Sequence, residues 1–141
     1  LEGVYNGNHE IHFNVTAPTP RAMRPQTNNG PIHVAYTEGG VQLSLRLYDD
    51  GQPCHLMGRQ QAGTGRVMID PGQRCSIRLH YDGNLVIAGM QINSGVAEFD
   101  GYQLRTDMSG PFVGEALING ARTSLQGNGR IRFGGTRAQS R

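Results

Sequence analysis

The chain has 141 residues, enough for one domain with a substantial hydrophobic core. Its 13 Lys+Arg against 11 Asp+Glu leave a net charge of +2, far from the basic excess of a nucleic-acid binder. All 13 basic residues are arginine, which excludes a Schiff-base lysine, a phosphate-loop lysine and a Ser–Lys dyad. There is no tryptophan, and the aromatic content is 5 Tyr and 4 Phe, which argues against the exposed stacking platforms of many sugar and single-strand binders. No apolar run approaches the length that spans a bilayer. The chain begins at Leu1 without an initiator Met and reads as a processed or trimmed piece.

In chain order, Gly3 to Gly7 forms a short opening strand, with Asn6-Gly7 as a turn candidate. His9, Ile11, Phe13 and Val15 then alternate with Glu10, His12, Asn14 and Thr16, the period of a half-buried strand. From 17 to 31 the segment holds Pro18, Pro20, Pro25 and Pro31 and reads as a long loop, because proline lacks the ladder donor. Ile32, Val34 and Tyr36 alternate next, followed by a turn at Glu38-Gly39-Gly40. Val41, Leu43, Leu45 and Leu47 form another apolar face, closed by Asp50-Gly51. A glycine-rich stretch, Gln60 to Gly65, precedes Arg66 to Ile69 and a turn at Asp70-Pro71-Gly72.

The segment from Arg74 to Ile92 carries the strongest signal. Cys75, Ile77, Leu79 and Tyr81 alternate with Arg74, Ser76, Arg78 and His80, and Asp82-Gly83 suits a type I′ turn. That register sets Leu79 against Val86, Ile77 against Ala88 and Cys75 against Met90, with Ile87 alone stranded on the polar face. Beyond it come a strand at 96–99, a turn at Asp100-Gly101 and a strand at 102–108 broken by Ser109-Gly110-Pro111. A strand at 112–118 leads to Asn119-Gly120. A last hairpin then turns at Gly127-Asn128-Gly129, setting Leu125 opposite Ile131 and Thr123 opposite Phe133. Residues 135–141 read as a flexible basic tail on a single domain of residues 1–134.

Ten to twelve short strands joined by local turns predict an all-β antiparallel meander closing as an up-and-down barrel. A two-sheet sandwich is the alternative.

Little of the sequence carries recognisable chemistry. Cys54 and Cys75 are the only cysteines, a disulfide in an oxidising compartment or two reduced thiols in the cytosol. Cys75 belongs to an apolar strand face and Cys54 follows Pro53 at the edge of the neighbouring hairpin, so pairing is expected. His9 and His12 point to opposite faces, and His33, His55 and His80 fall on separate segments. No metal site is expected, and the histidines are read as surface or turn residues. Glu98, Asp100, Asp107 and Glu115 are the acids a paired-carboxylate hydrolase would need, though solvated strand faces account for them more simply. Gly63-Thr64-Gly65 lacks the lysine and helix of a nucleotide loop, and no cofactor is implied. Asn14-Val15-Thr16 fits the glycosylation triplet. Arg130, Arg132, Arg137 and Arg141 form a basic end suited to an anionic surface or to solubility.

An opening Gly3-Val4-Tyr5-Asn6-Gly7 is followed by Cys54-His55-Leu56, by Asp70-Pro71-Gly72-Gln73-Arg74-Cys75 and by Gly95-Val96-Ala97-Glu98-Phe99-Asp100-Gly101-Tyr102-Gln103-Leu104. Met108-Ser109-Gly110 and Phe133-Gly134-Gly135-Thr136-Arg137 complete the series. In this order of features the chain resembles small envelope lipoprotein β-domains of myxobacteria and their relatives. The chain departs in carrying arginine where those domains carry Thr and Ser, and in lacking a lipidated cysteine. The resemblance implies an envelope location (periplasmic, outer-membrane-associated or extracellular) and a disulfide, and it brings no catalytic residues. Three functions follow as expectations. The first is a non-enzymatic envelope domain binding a protein, glycan or lipid. The second is a lipocalin-like barrel holding a small apolar ligand, and the third a carboxylate hydrolase.

Overall fold

The structure is a computed structural model that describes residues 1–47 and 53–138. Its elements are β1 (Gly3–Ala17), β2 (Arg21–Ala22), β3 (Gln26–Thr37), β4 (Gly40–Leu45), β5 (Cys54–Gln60), β6 (Arg66–Ile69), β7 (Gln73–Tyr81), β8 (Asn84–Ile92), β9 (Ser94–Asp100), β10 (Gln103–Ile118) and β11 (Ala121–Arg137). Every pairing is antiparallel, and no helix occurs among the described residues.

Eight strands close a ring of hydrogen bonds in the order β1-β3-β4-β5-β6-β9-β10-β11 and back to β1. Each ring neighbour is the next ring strand along the chain, so the expected meander is present. The closure is barrel-like, and a flattened, two-faced version of the same ring meets the same pairing. Closure leaves few unpaired strand edges. Inside lie alternate residues of each strand, such as Tyr5, Ile11 and Phe13 from β1, Leu43 and Leu45 from β4, and Ile131 and Phe133 from β11.

Two excursions leave the ring. The short β2 pairs with β1 at Asn14 and Val15. The β7–β8 hairpin, inserted between β6 and β9, reaches back to β10. β10 is long enough to serve both purposes: residues 103–109 pair with β9, residues 112–117 with β8. β11 follows β10 along its whole length. The far halves of β10 and β11, with β8 and β7, therefore extend the sheet past the ring.

The hairpin has the predicted register: Leu79 pairs with Val86, Ile77 with Ala88 and Cys75 with Met90. Asp82 and Gly83 both take positive φ, 50° and 78°, as a type I′ turn demands. Asn119-Gly120 makes a second such turn, at 50° and 79°. Ile87 is 46% exposed on the polar face, as expected, though half-buried Leu85, opposite His80, shares that face.

Five local expectations are corrected. Asn6-Gly7 is not a turn but lies inside β1. Ser109-Gly110-Pro111 does not end a strand, and Gly127-Asn128-Gly129 does not make a hairpin, since β10 and β11 run straight through them. Leu125 consequently pairs with Gly114 and Thr123 with Ala116. The glycines serve close approach instead of turning. A Cβ would fall 2.0 Å from the Gly134 carbonyl oxygen at Gly7, 1.7 Å from that of Gln91 at Gly110, and 2.0 Å from that of Asn14 at Gly127. Residues 17–31 are not one loop either, because β2 and the first half of β3 occupy part of them. Pro31 sits one residue before β4 pairing begins at Ile32, and Pro111 in the gap between the β9 and β8 ladders. Both positions tolerate a missing donor. Residues 135–137 belong to β11 and are not a tail. The Asp50-Gly51 turn and Arg141 lie outside the described residues.

Candidate functional site

Cys54 and Cys75 form a disulfide with Cα atoms 5.3 Å apart. It joins the end of β5 to the outer strand of the inserted hairpin, a link the backbone ladder does not supply. Beside it the Gln73 side chain clamps the same junction. Its Oε1 accepts from the Met57 amide at 2.7 Å, and its Nε2 donates to the carbonyls of Met57 and Asp70 at 2.8 and 2.7 Å. The disulfide points to an oxidising, non-cytoplasmic location. No helix among the described residues is long and apolar enough to cross a membrane.

The sheet extension creates a feature that sequence reading did not foresee. Because β7, β8, β10 and β11 run past the ring, their inner faces need cover there. The chain between β1 and β3 supplies it only in part. A second, smaller apolar cluster forms from Tyr81, Val86 and Ala116, with Met23, Leu79 and Leu125 packed against it. Between them lies an open groove of about 230 Å³, lined by Val15, Met23, Tyr81, Val86, Ala116 and Leu125.

Charge gathers at its mouth. The Arg24 amide donates to the Tyr81 hydroxyl at 2.9 Å, and the Arg24 guanidinium hydrogen-bonds Asp82 in the hairpin turn. Asp82 in turn raises the Arg24 pKa further above its ordinary value, first through that hydrogen bond and then through its charge. Arg21 reaches Asp82 at 3.8 Å. Both guanidiniums lie over the Tyr81 ring, 5.7 Å (Arg21) and 5.0 Å (Arg24) from its centroid. Two residues on each side, Arg21 and Arg24 against Tyr81 and Asp82, thus clasp the β2 segment to the hairpin tip across the groove.

The acids singled out from sequence are spread over outer strand faces. Asp107 accepts a two-pronged contact from Arg130, Nε to Oδ1 at 2.9 Å and Nη2 to Oδ2 at 2.6 Å, with Arg132 at 3.9 Å. The Arg130 hydrogen bonds hold its carboxyl below the usual range, the opposite of what a proton donor needs. Glu115 stands 4.0 Å from Arg122. Glu98 and Asp100 are exposed on β9, with Glu98 in register with Arg66 and Arg105. Arg130 and Arg132 are thereby paired on a strand, and Arg137 lies 5.0 Å over the Tyr102 ring. Asn14 of the glycosylation triplet is exposed in mid-strand.

One histidine expectation is overturned. His9 is fully buried, its ring 4.7 Å from that of Phe133, and neither ring nitrogen has a hydrogen-bond partner. Desolvation lowers its pKa to about 4. His33, His55 and His80 are exposed; His55 Nδ1 lies 2.7 Å from Ser44 Oγ, and half-buried His12 pairs with Glu10. Among the described residues no group of three His, Cys, Asp or Glu side chains could hold a metal ion.

Sequence reading missed Arg21, Met23 and Leu125 because it assigned them to a loop and a terminal hairpin. The apolar residue at Met23, between Pro20 and Pro25, was the one local signal for the groove. No protein-family model matches the chain, and no curated protein matches its sequence.

Proposed function

We propose that the chain is a non-enzymatic envelope or extracellular β-domain that binds a small apolar ligand in the groove of its sheet extension. The observation that carries this reading is the groove itself, an apolar-walled opening of about 230 Å³. It is smaller than the roughly 300–1,000 Å³ of pockets for drug-sized molecules, so it suits a small molecule or the end of a longer chain. The Cys54–Cys75 disulfide and the resemblance to envelope lipoprotein domains support the location. Near-balanced charge weighs against nucleic acid as the partner. The ligand site differs from that of a lipocalin in position, lying beside the ring and not within it.

The test is titration with the neutral fluorophore Nile red, alongside native mass spectrometry of the protein as purified. Saturable one-site binding is expected, and Leu125→Trp should abolish it by filling the groove. Leu125 is only half-buried, so this variant should retain wild-type circular dichroism and unfolding. Absence of saturable binding, or binding that Leu125→Trp leaves intact, overturns the proposal.

A further inference from the structure

Resting on that reading, we infer that the ligand is a single-chain amphiphile with an anionic head, its tail in the groove and its head on Arg21. The mouth holds two guanidiniums, Arg21 and Arg24, against one carboxylate, Asp82, which leaves one positive charge unmatched. The two arginines are not equivalent. Arg24 is committed, since its guanidinium hydrogen-bonds Asp82 and its amide holds the Tyr81 hydroxyl. Arg21 lines the groove, and at 3.8 Å its contact with Asp82 is an ion pair beyond hydrogen-bonding distance. Its forked donors therefore remain to be met by solvent or by an incoming oxyanion, which a guanidinium grips in two-pronged fashion. The Tyr81 ring face lies 5.7 Å from the guanidinium, which places the charge at the rim of the groove.

Size sets the tail. At about 230 Å³ and open to solvent on one side, the groove suits a single alkyl chain whose head lies at the rim. A cationic head would meet Arg21 and Arg24 together, and a neutral one would leave the Arg21 donors to water. Ligand charge should therefore rank affinity as anionic, neutral, cationic.

The experiment displaces Nile red at pH 7.5 with decanoate, decanol and decylammonium, which share a tail and differ in head. Decanoate should bind about fivefold more tightly than decanol, the factor of one exposed ion pair, and decylammonium more weakly than either. Added salt should narrow the gap. Arg21→Gln should bring the decanoate-to-decanol affinity ratio to about one, and Arg21→Lys should restore part of it. Thermal unfolding of both variants checks that the clasp region stays folded. Equal affinities for the three probes, or a ratio that survives Arg21→Gln, overturn the anionic assignment while leaving the groove a binding site. Failure of all three to displace bound Nile red removes the amphiphile altogether. If Nile red itself does not bind, the underlying function falls with it.

Discussion

Lowering the pH from 7 to 4 should destabilise this protein through one buried histidine. His9 sits on the inner face of β1, in register with Phe133 of β11 and Asn28 of β3. Gly30 also borders its ring, and no charged side chain faces it among these neighbours. Desolvation holds its pKa at about 4, against 6.5 for a free imidazole. The unfolded chain therefore takes up a proton on acidification through 6.5 that the folded chain refuses until about 4. Stability is fully present above pH 6.5, falls with pH across that window and levels off below it. At 1.36 kcal/mol per unit, the gap corresponds to about 3 kcal/mol, a large part of the roughly 5–15 kcal/mol that domains possess. Asp107 titrates below its ordinary value of 3.8, so its contribution is lost at still lower pH and does not enter the same window. The assay is urea unfolding followed by circular dichroism at half-unit steps from pH 4 to 7. His9→Leu should flatten the profile and, by removing two orphaned nitrogens, hold or raise stability at pH 7. A wild-type profile already flat across the window, or a slope that persists undiminished in His9→Leu, would refute the reasoning.

Two further outcomes follow from the framework. Cys75→Ser opens a loop whose ends are 21 residues apart and should cost about 3 kcal/mol in the chain-entropy estimate; reducing the intact protein should lower its melting temperature, and an unchanged midpoint would show the Gln73 clamp to be sufficient alone. Gly110→Ala puts a methyl group 1.7 Å from the Gln91 carbonyl oxygen, where only backbone can give way. It should destabilise by at least about 3 kcal/mol or prevent folding, measured by denaturant unfolding, whereas Gly83→Ala strains only an open turn and should cost about 1 kcal/mol.

How far the sequence speaks depends on the distance between the residues that must agree. The β7–β8 hairpin was legible to the residue pair, because a two-residue turn and a period of two fix its register locally. Tyr81, Val86 and Ile87 were assigned to the right faces for the same reason. Glycine was misread at Gly7, Gly110 and Gly127, since one residue type answers two demands. In a turn it supplies positive φ, and in a long strand it makes room for a neighbouring carbonyl. Only the neighbour's position tells them apart, and that neighbour lies 127 residues away for Gly7 (Gly134) and 113 for Gly127 (Asn14).

All-β class, antiparallel meander and the inward-facing Cys75 were thus properties of the sequence by itself. The pairing of β1 with β11 was decided in three dimensions, as was the reach of β10 across two partners. Both depend on which unpaired edges meet once the meander coils. The groove and its clasp are a consequence of that coiling. Arg24 meets Asp82 across 58 residues, and the cavity exists because β10 and β11 outrun the ring that the first half of β10 and the second half of β11 complete. Alternation records which face of a strand is apolar, but it carries no information on what will cover that face, and here the cover stops short.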